Sequence, residues 1–238
     1  MPPMERRVRG LARERVWAWY LGSMFLSQAP RAHRDPVFLA AKVARLREPH
    51  VAPLNDLADR IGVETGMAVP AFDPDSAGIN ARSLFLFEAP GARSTAAAGP
   101  RAAAKGSGII SPDNNDGTAE NMWRLHEAAG LARTSTLAWN IVPWYVGTDT
   151  KIRPVERDDL QAAAPYLAAL IALLPDLRVV VTFGDKPRQG WFRYLLHDDA
   201  PLLPTLAVPH PSPLSLNPHP ENRDLILRAL RRVAEVAR

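Results

Sequence analysis

Four short apolar runs, set apart by stretches with helical signals, restrict this chain more than any other feature. They are Leu84 to Phe87, Thr136 to Val142, Val179 to Phe183 and Thr205 to Val208. The first is bounded by Asn80 on one side and by Pro90 and Gly91 on the other, and the third ends at Gly184, so each reads as a buried strand. Between them, a helix starts around Thr118 as its N-cap and stops at Gly130. Leu160, Ala163, Ala164, Leu167, Leu170, Ile171 and Leu174 then recur at intervals of three and four, as in a helix lying on a sheet. Trp191, Tyr194 and Leu195 mark a shorter helix, and Leu225 to Val236 a terminal one. Parallel strands need long, right-handed crossovers, and every gap here is long enough for one. The expected fold class is α/β: a three-layer αβα sandwich around a four-stranded parallel sheet. In such sheets ligands bind beyond the carboxyl ends of the strands. That rule points to Glu88–Arg93, Asn140–Tyr145, Gly184–Arg188 and His210–Asn217.

The first 65 residues read as helices over Leu11–Leu26, Pro36–Arg47 and Leu54–Ile61, with Pro49, Pro53 and Gly66 as punctuation. They form an N-terminal helical extension of a single domain spanning residues 1–238. With 47% hydrophobic and 23% charged residues the chain has the composition of an ordinary globular protein. It contains no cysteine, which excludes disulfides, thiolate nucleophiles and iron-sulfur clusters. The run Val16–Leu26 follows arginines, but Glu14 lies among them and Trp17, Trp19 and Tyr20 make it unlike a signal peptide. Leu160–Leu177 is broken by Gln161, Pro165, Pro175 and Asp176, too early to span a bilayer.

The net charge of +4 is compatible with a polyanionic partner. Arg6, Arg7, Arg9, Arg13 and Arg15 face Glu5 and Glu14 in the first fifteen residues, a pattern that fits a solvated basic helix and also a DNA-contacting arm. Residues 91–117, rich in Gly, Ala and Ser and carrying Arg93, Arg101 and Lys105, are expected to form a mobile surface loop. It leaves the strand end at which a pocket should open, so its cations are candidates for holding phosphates. The Asp113–Gly117 stretch lacks the spacing of an EF-hand, and the six histidines form no i, i+4 pair for zinc. No metal and no cofactor is expected.

After the fourth strand stands His210-Pro211-Ser212-Pro213-Leu214-Ser215, which matches the His-Pro-Ser-Pro-Leu-Ser motif of uracil-DNA glycosylases at all six positions. After the first strand, Phe87-Glu88-Ala89-Pro90-Gly91 resembles the Gly-Glu-Ala-Pro-Gly motif of the iron-sulfur uracil-DNA glycosylases at four of five. Leu137-Ala138-Trp139-Asn140 is similar to the strand whose asparagine reads uracil, and Val181-Thr182-Phe183-Gly184 to the third strand and its glycine. Gly108-Ile109-Ile110-Ser111-Pro112 and Asn121-Met122-Trp123 look like the stacking loop and its helix. The resemblance covers residues 80 to 237. It implies a DNA glycosylase that flips uracil from DNA and hydrolyses its N-glycosidic bond in base excision repair.

The resemblance also implies roles. Asn140 reads the Watson-Crick edge of uracil, accepting from N3–H and donating to O4, a pattern cytosine reverses. His210 donates to uracil O2 as that oxygen becomes anionic. Ser212 and Ser215 bind flanking phosphates and Leu214 fills the gap left by the base. Ala89, Pro90 and Gly91 line the uracil pocket. Departures accompany these matches: Ala89 stands where better-known members carry a water-positioning aspartate, Gly91 where a tyrosine excludes the thymine methyl, and Ile110 where an aromatic ring stacks on uracil. Water activation then falls to Glu88, with Asn114, Asn115 or Asp116 in reserve. The expected partner is uracil-containing DNA, and the expected state a cytoplasmic monomer without a membrane.

Each residue also has a structural reading. His210 could be a hydrogen-bonded loop histidine, Asn140 a cap, and Glu88 a tie for the loop that follows it. Two rivals to the enzyme are a damaged-DNA binder that has lost hydrolysis and a nucleoside enzyme on the same sheet.

Overall fold

The computed structural model describes residues 29–91, 93–95, 106–148 and 151–237. The helix expected over Leu11–Leu26 lies outside them. The chain begins with α1 (Pro36–Val43), α2 (Ala52–Thr65) and the short β1 (Ala71–Phe72). There follow β2 (Ser83–Phe87), β3 (Ile109–Ile110), α3 (Gly117–Ala129) and β4 (Thr136–Asn140). A small hairpin, β5 (Gly147–Thr148) and β6 (Lys151–Ile152), leads into α4 (Arg157–Ala172) and β7 (Val179–Phe183). The last elements are α5 (Asp185–Tyr194), β8 (Thr205–Val208), α6 (Pro213–Leu216) and α7 (Glu221–Val236).

The central sheet has the order β4-β2-β7-β8, and every pair in it is parallel. Successive side chains leave a strand on opposite faces, and here both faces are covered. Leu84, Leu86, Leu137, Trp139 and Val180 pack with Leu54, Leu57 and Ile61 of α2, Leu167 and Leu170 of α4 and Trp191 of α5. Phe85, Val179, Val181 and Phe183 pack on the other side with Met122 and Leu125 of α3 and Ile226, Leu230 and Val233 of α7. These two apolar layers make the chain the α/β sandwich expected from the alternation of runs. Residues 52–65 are not peripheral to it, since Leu54 and Ile61 are fully buried in the first layer. Among the described residues no helix is long and apolar enough to cross a membrane.

The order places the switch point of the sheet between β2 and β7, because the chain adds β4 on one side of β2 and then β7 and β8 on the other. Crevices at such points bind ligands. β4 ends at Asn140 rather than Val142, but the N–H groups of Ile141 and Val142 still donate to the carbonyls of Phe87 and Glu88 at 2.7 and 3.0 Å. The ends of β2 and β4 are therefore tied together at the mouth of the crevice.

Two expectations change. The helix after the long loop is capped by Asp116, not Thr118: Asp116 has extended backbone and its Oδ1 accepts from Ala119 N–H at 2.9 Å. The loop itself is ordered and inward-facing over its second half. Ile109 and Ile110 pair with Ala71 and Phe72 as a two-stranded parallel ladder, and Ser111, Asp113 and Asn114 are buried. Ser107 N–H donates to Arg93 O at 2.9 Å, which closes the loop on itself. Arg101 and Lys105 lie outside the described residues.

Candidate active site

A cavity of about 730 Å3 opens at the carboxyl ends of the strands. It gathers most of the residues singled out from the sequence: Glu88, Ala89, Pro90, Gly91 and Arg93 after β2, Ile110 on β3, Asn140 at the end of β4, and His210, Ser212 and Leu214 after β8. Ser215 is not in its lining. That residue sits on α6, where its hydroxyl and carbonyl accept from Asn222 Nδ2 at 3.3 and 3.1 Å. Leu214 is 89% exposed at the rim, an apolar side chain held out toward solvent.

His210 is fixed by its own turn. Ser212 N–H donates to His210 Nδ1 at 3.2 Å, so Nδ1 carries a lone pair and the proton of the neutral ring sits on Nε2. Burial pulls the imidazole down to about 4 from its ordinary 6.5, so it stays neutral at physiological pH and is a donor through Nε2. Gly184, with φ 96° and ψ −179°, lies beside it; a Cβ there would stand 3.6 Å from the Cβ of His210. That backbone conformation is open essentially to glycine alone. The turn is braced by α3, where Asn121 Nδ2 donates to Pro211 O at 2.8 Å. Gly117 packs so closely that a Cβ would meet Pro213 Cγ at 2.6 Å.

Asn140 is 4% exposed, and its side-chain amide makes no hydrogen bond with any described residue. Its polar atoms face the cavity that the residue lines, so they are free to pair with a group that enters it. Its strand partner is Phe87, so the two side chains leave the sheet on one face. Glu88 accepts from Val155 N–H at 3.3 Å through Oε1, tying the end of β2 to the segment before α4. Near that segment Ile152 and Arg153 form part of the rim, Ile152 being 55% exposed and Arg153 paired with Asp159 at 2.6 Å.

The reserve candidates for water activation are now distinguishable. Asn114 is fully committed: Oδ1 is bonded by Ser107 Oγ at 2.6 Å and His33 Nδ1 at 2.8 Å, and Nδ2 donates to Ile109 O at 2.8 Å. Asn115 accepts from Arg34 Nε at 2.7 Å on the surface, outside the cavity lining. Asp116 lines the cavity, and burial pushes its carboxyl up despite the helix N–H groups it accepts from.

Behind this loop lies a buried charge cluster that no sequence pattern announced. Lys42 Nζ reaches Asp73 Oδ2 at 2.9 Å and Asp113 Oδ2 at 2.5 Å, and Arg133 bonds the same two carboxylates, Asp113 at 2.9 Å. All four side chains are 4% exposed or less. Burial alone would push the Asp73 carboxyl up, but the Lys42 and Arg133 cations outweigh it and hold it well below the usual range. With His33 on Asn114, Arg34 on Asn115 and Arg31 on Glu120 at 2.6 Å, the segment before and within α1 straps the 107–120 stretch against the cavity. These partners are far apart in sequence, and isolated Lys, Arg and Asp residues have no spacing to betray them.

Comparison with known proteins agrees with the arrangement at family level. A family model described as the uracil DNA glycosylase superfamily matches residues 74–234. Among solved structures, the chain is similar to the solution NMR structure of a protein from Methanosarcina acetivorans put forward as a uracil DNA glycosylase. That match has 16% identity and a TM-score of 0.37, and covers 65% of this chain and 91% of the other. No relative is found among curated proteins.

Proposed function

Since this chain belongs to the uracil DNA glycosylase superfamily, we propose that it turns uracil out of DNA into the cavity and hydrolyses the bond joining the base to deoxyribose. The observation that carries this reading is the amide of Asn140, without a hydrogen-bond partner among the described residues and open to the same cavity as a neutral His210. Uracil supplies what that amide lacks, an N3–H to donate and an O4 to accept. A base must leave the stack before an enzyme can read this edge.

The C1′–N1 bond breaks with its electron pair leaving on the uracil ring, while positive charge develops on the sugar. The Nε2–H of His210 donates to O2 as negative charge collects there. Because burial keeps the ring from taking up a second proton, it meets the anion as a neutral imidazole, whose N–H is too weak an acid to be surrendered. Water adds to C1′ and loses a proton to Glu88, which is held near the mouth by Val155 N–H. Asp116 is the second carboxylate in the cavity able to take that proton. Leu214, held out at the rim, occupies the space the base vacates, and Ser212 meets a neighbouring phosphate.

The test is incubation with a uracil-containing oligonucleotide, followed by detection of abasic sites through alkaline cleavage. Abasic sites are expected, and His210→Ala should lower single-turnover excision at least about tenfold while DNA binding changes little. A shift of the oligonucleotide without cleavage would instead identify a binder of uracil-containing DNA. Processing of free deoxyuridine alone would identify a nucleoside enzyme.

A further inference from the structure

Phe87 occupies the position at which the first motif departs from the family pattern, a glycine there being replaced by a large aromatic ring. Its surroundings give that departure a purpose. The ring lies parallel to Phe183, with centroids 4.7 Å apart and planes 8° from each other. It meets the imidazole of His210 almost perpendicularly, at 6.1 Å and 83°. Phe183 is itself fully buried and edge-on to Phe85, so the support beneath Phe87 is continuous with the core on the α3 and α7 side of the sheet.

We propose that Phe87 is a positioning residue for His210: an aromatic bracket, seated on Phe183, that sets the plane of the imidazole and keeps water from it. Its effect on the chemistry rests on the reading that His210 acts on the departing base. Three neighbours then define the ring of His210, namely Phe87 across it, Gly184 beside its Cβ and Ser212 N–H on Nδ1. Perpendicular ring pairs at this spacing are favourable and directional. A glycine at position 87 would leave that side of the imidazole open to solvent.

The charged groups near the imidazole do not account for its state. Glu88 from β2, Arg93 from the loop and Asp116 from the start of α3 share its cavity, and Asp185 and Lys186 open α5 next to Gly184. The low affinity of His210 for a proton arises from burial, with no charge contributing. Removing the ring that provides part of that burial should therefore be felt directly at the imidazole.

The experiment uses the full chain with Phe87→Leu, which keeps apolar bulk but loses the ring, and Phe87→Ala. His210 is followed by NMR across a pH series, its signal assigned by comparison with His210→Gln, and folding is checked by thermal melting. In both variants the His210 midpoint should rise by about one pH unit toward the 6.5 of a free imidazole. Excision should fall about tenfold in kcat with KM little changed. Phe87→Tyr, which retains the ring, should keep the wild-type midpoint. A folded Phe87→Leu protein with an unmoved midpoint overturns the bracket, whether or not the wild-type protein excises uracil. A moved midpoint with unchanged kcat overturns its part in the chemistry.

Discussion

At the scale of single residues, the assignments differ in how directly geometry supports them. Asn140 ends β4 and His210 follows β8, and both present open polar atoms to one cavity. Asn140→Asp exchanges an NH2 donor for an acceptor, so uracil excision should drop sharply while any cytosine excision rises relative to it. Unaltered uracil turnover by that variant, measured against both substrates in parallel, would remove Asn140 as the reader. Ile110 also reaches the cavity, yet as an aliphatic residue it contributes no aromatic stacking. The phenyl rings lining the site are instead Phe85 and Phe87, and Phe87, which rests on the buried Phe183, is one the motif comparison alone would pass over as a mismatch.

At the scale of elements, the loop after β2 divides into two parts with different physics. Its second half is anchored by β3, by Asn114 and by the Lys42–Asp73–Asp113–Arg133 cluster. Removing one member of such a cluster strands the opposite charge without water. Lys42→Met is therefore expected to cost about 3–5 kcal/mol in urea unfolding. Loss of the exposed Arg47 pairs with Asp56 and Asp59 should change stability little by comparison. In its first half, Arg93 stands at the cavity, and Arg101 and Lys105 follow in sequence. Changing all three to alanine should weaken binding to uracil-containing duplex and flatten the dependence of log K on log salt, by about one unit for each phosphate no longer neutralised. Excision at saturating enzyme should largely survive. An unchanged slope would make these cations bystanders and that part of the loop a tolerated insertion.

At the scale of the whole molecule, acid sensitivity follows from the buried histidines. Burial holds both His126 and His210 near 4, and burial together with Lys42 lowers His33. Below pH 6.5 the unfolded chain takes up protons at these imidazoles, whereas the folded chain does not take them up at His126 and His210 until about 4. Stability should therefore fall as pH drops through that window, by up to about 1.4 kcal/mol per pH unit for each histidine. The carboxylates Asp73 and Asp113, held low by Lys42 and Arg133 against the cost of burial, add their own loss only at still lower pH. Melting temperatures from pH 8 to 4 test this; a flat profile between 6.5 and 4.5 would contradict it.

The chain of residues by itself determined the four parallel strands and the helices between them. Runs such as Val179–Phe183 and Thr205–Val208 are buried on both faces or paired along their length, so hydrophobic patterning carries their boundaries directly. It also pointed to the strand ends that open on the cavity, because the residues of each motif are contiguous and follow a strand. What only the tertiary structure decided are pairings between distant segments. The ladder of Ala71–Phe72 with Ile109–Ile110 is two residues long on each side, too short for any period to register. The charge cluster and the packing of Phe87 against Phe183 and His210 join side chains from separate elements. Local patterns record how each segment faces water or core. Which buried side chain meets which is set by the order in which the sheet is assembled, and that order becomes visible only when the layers are packed.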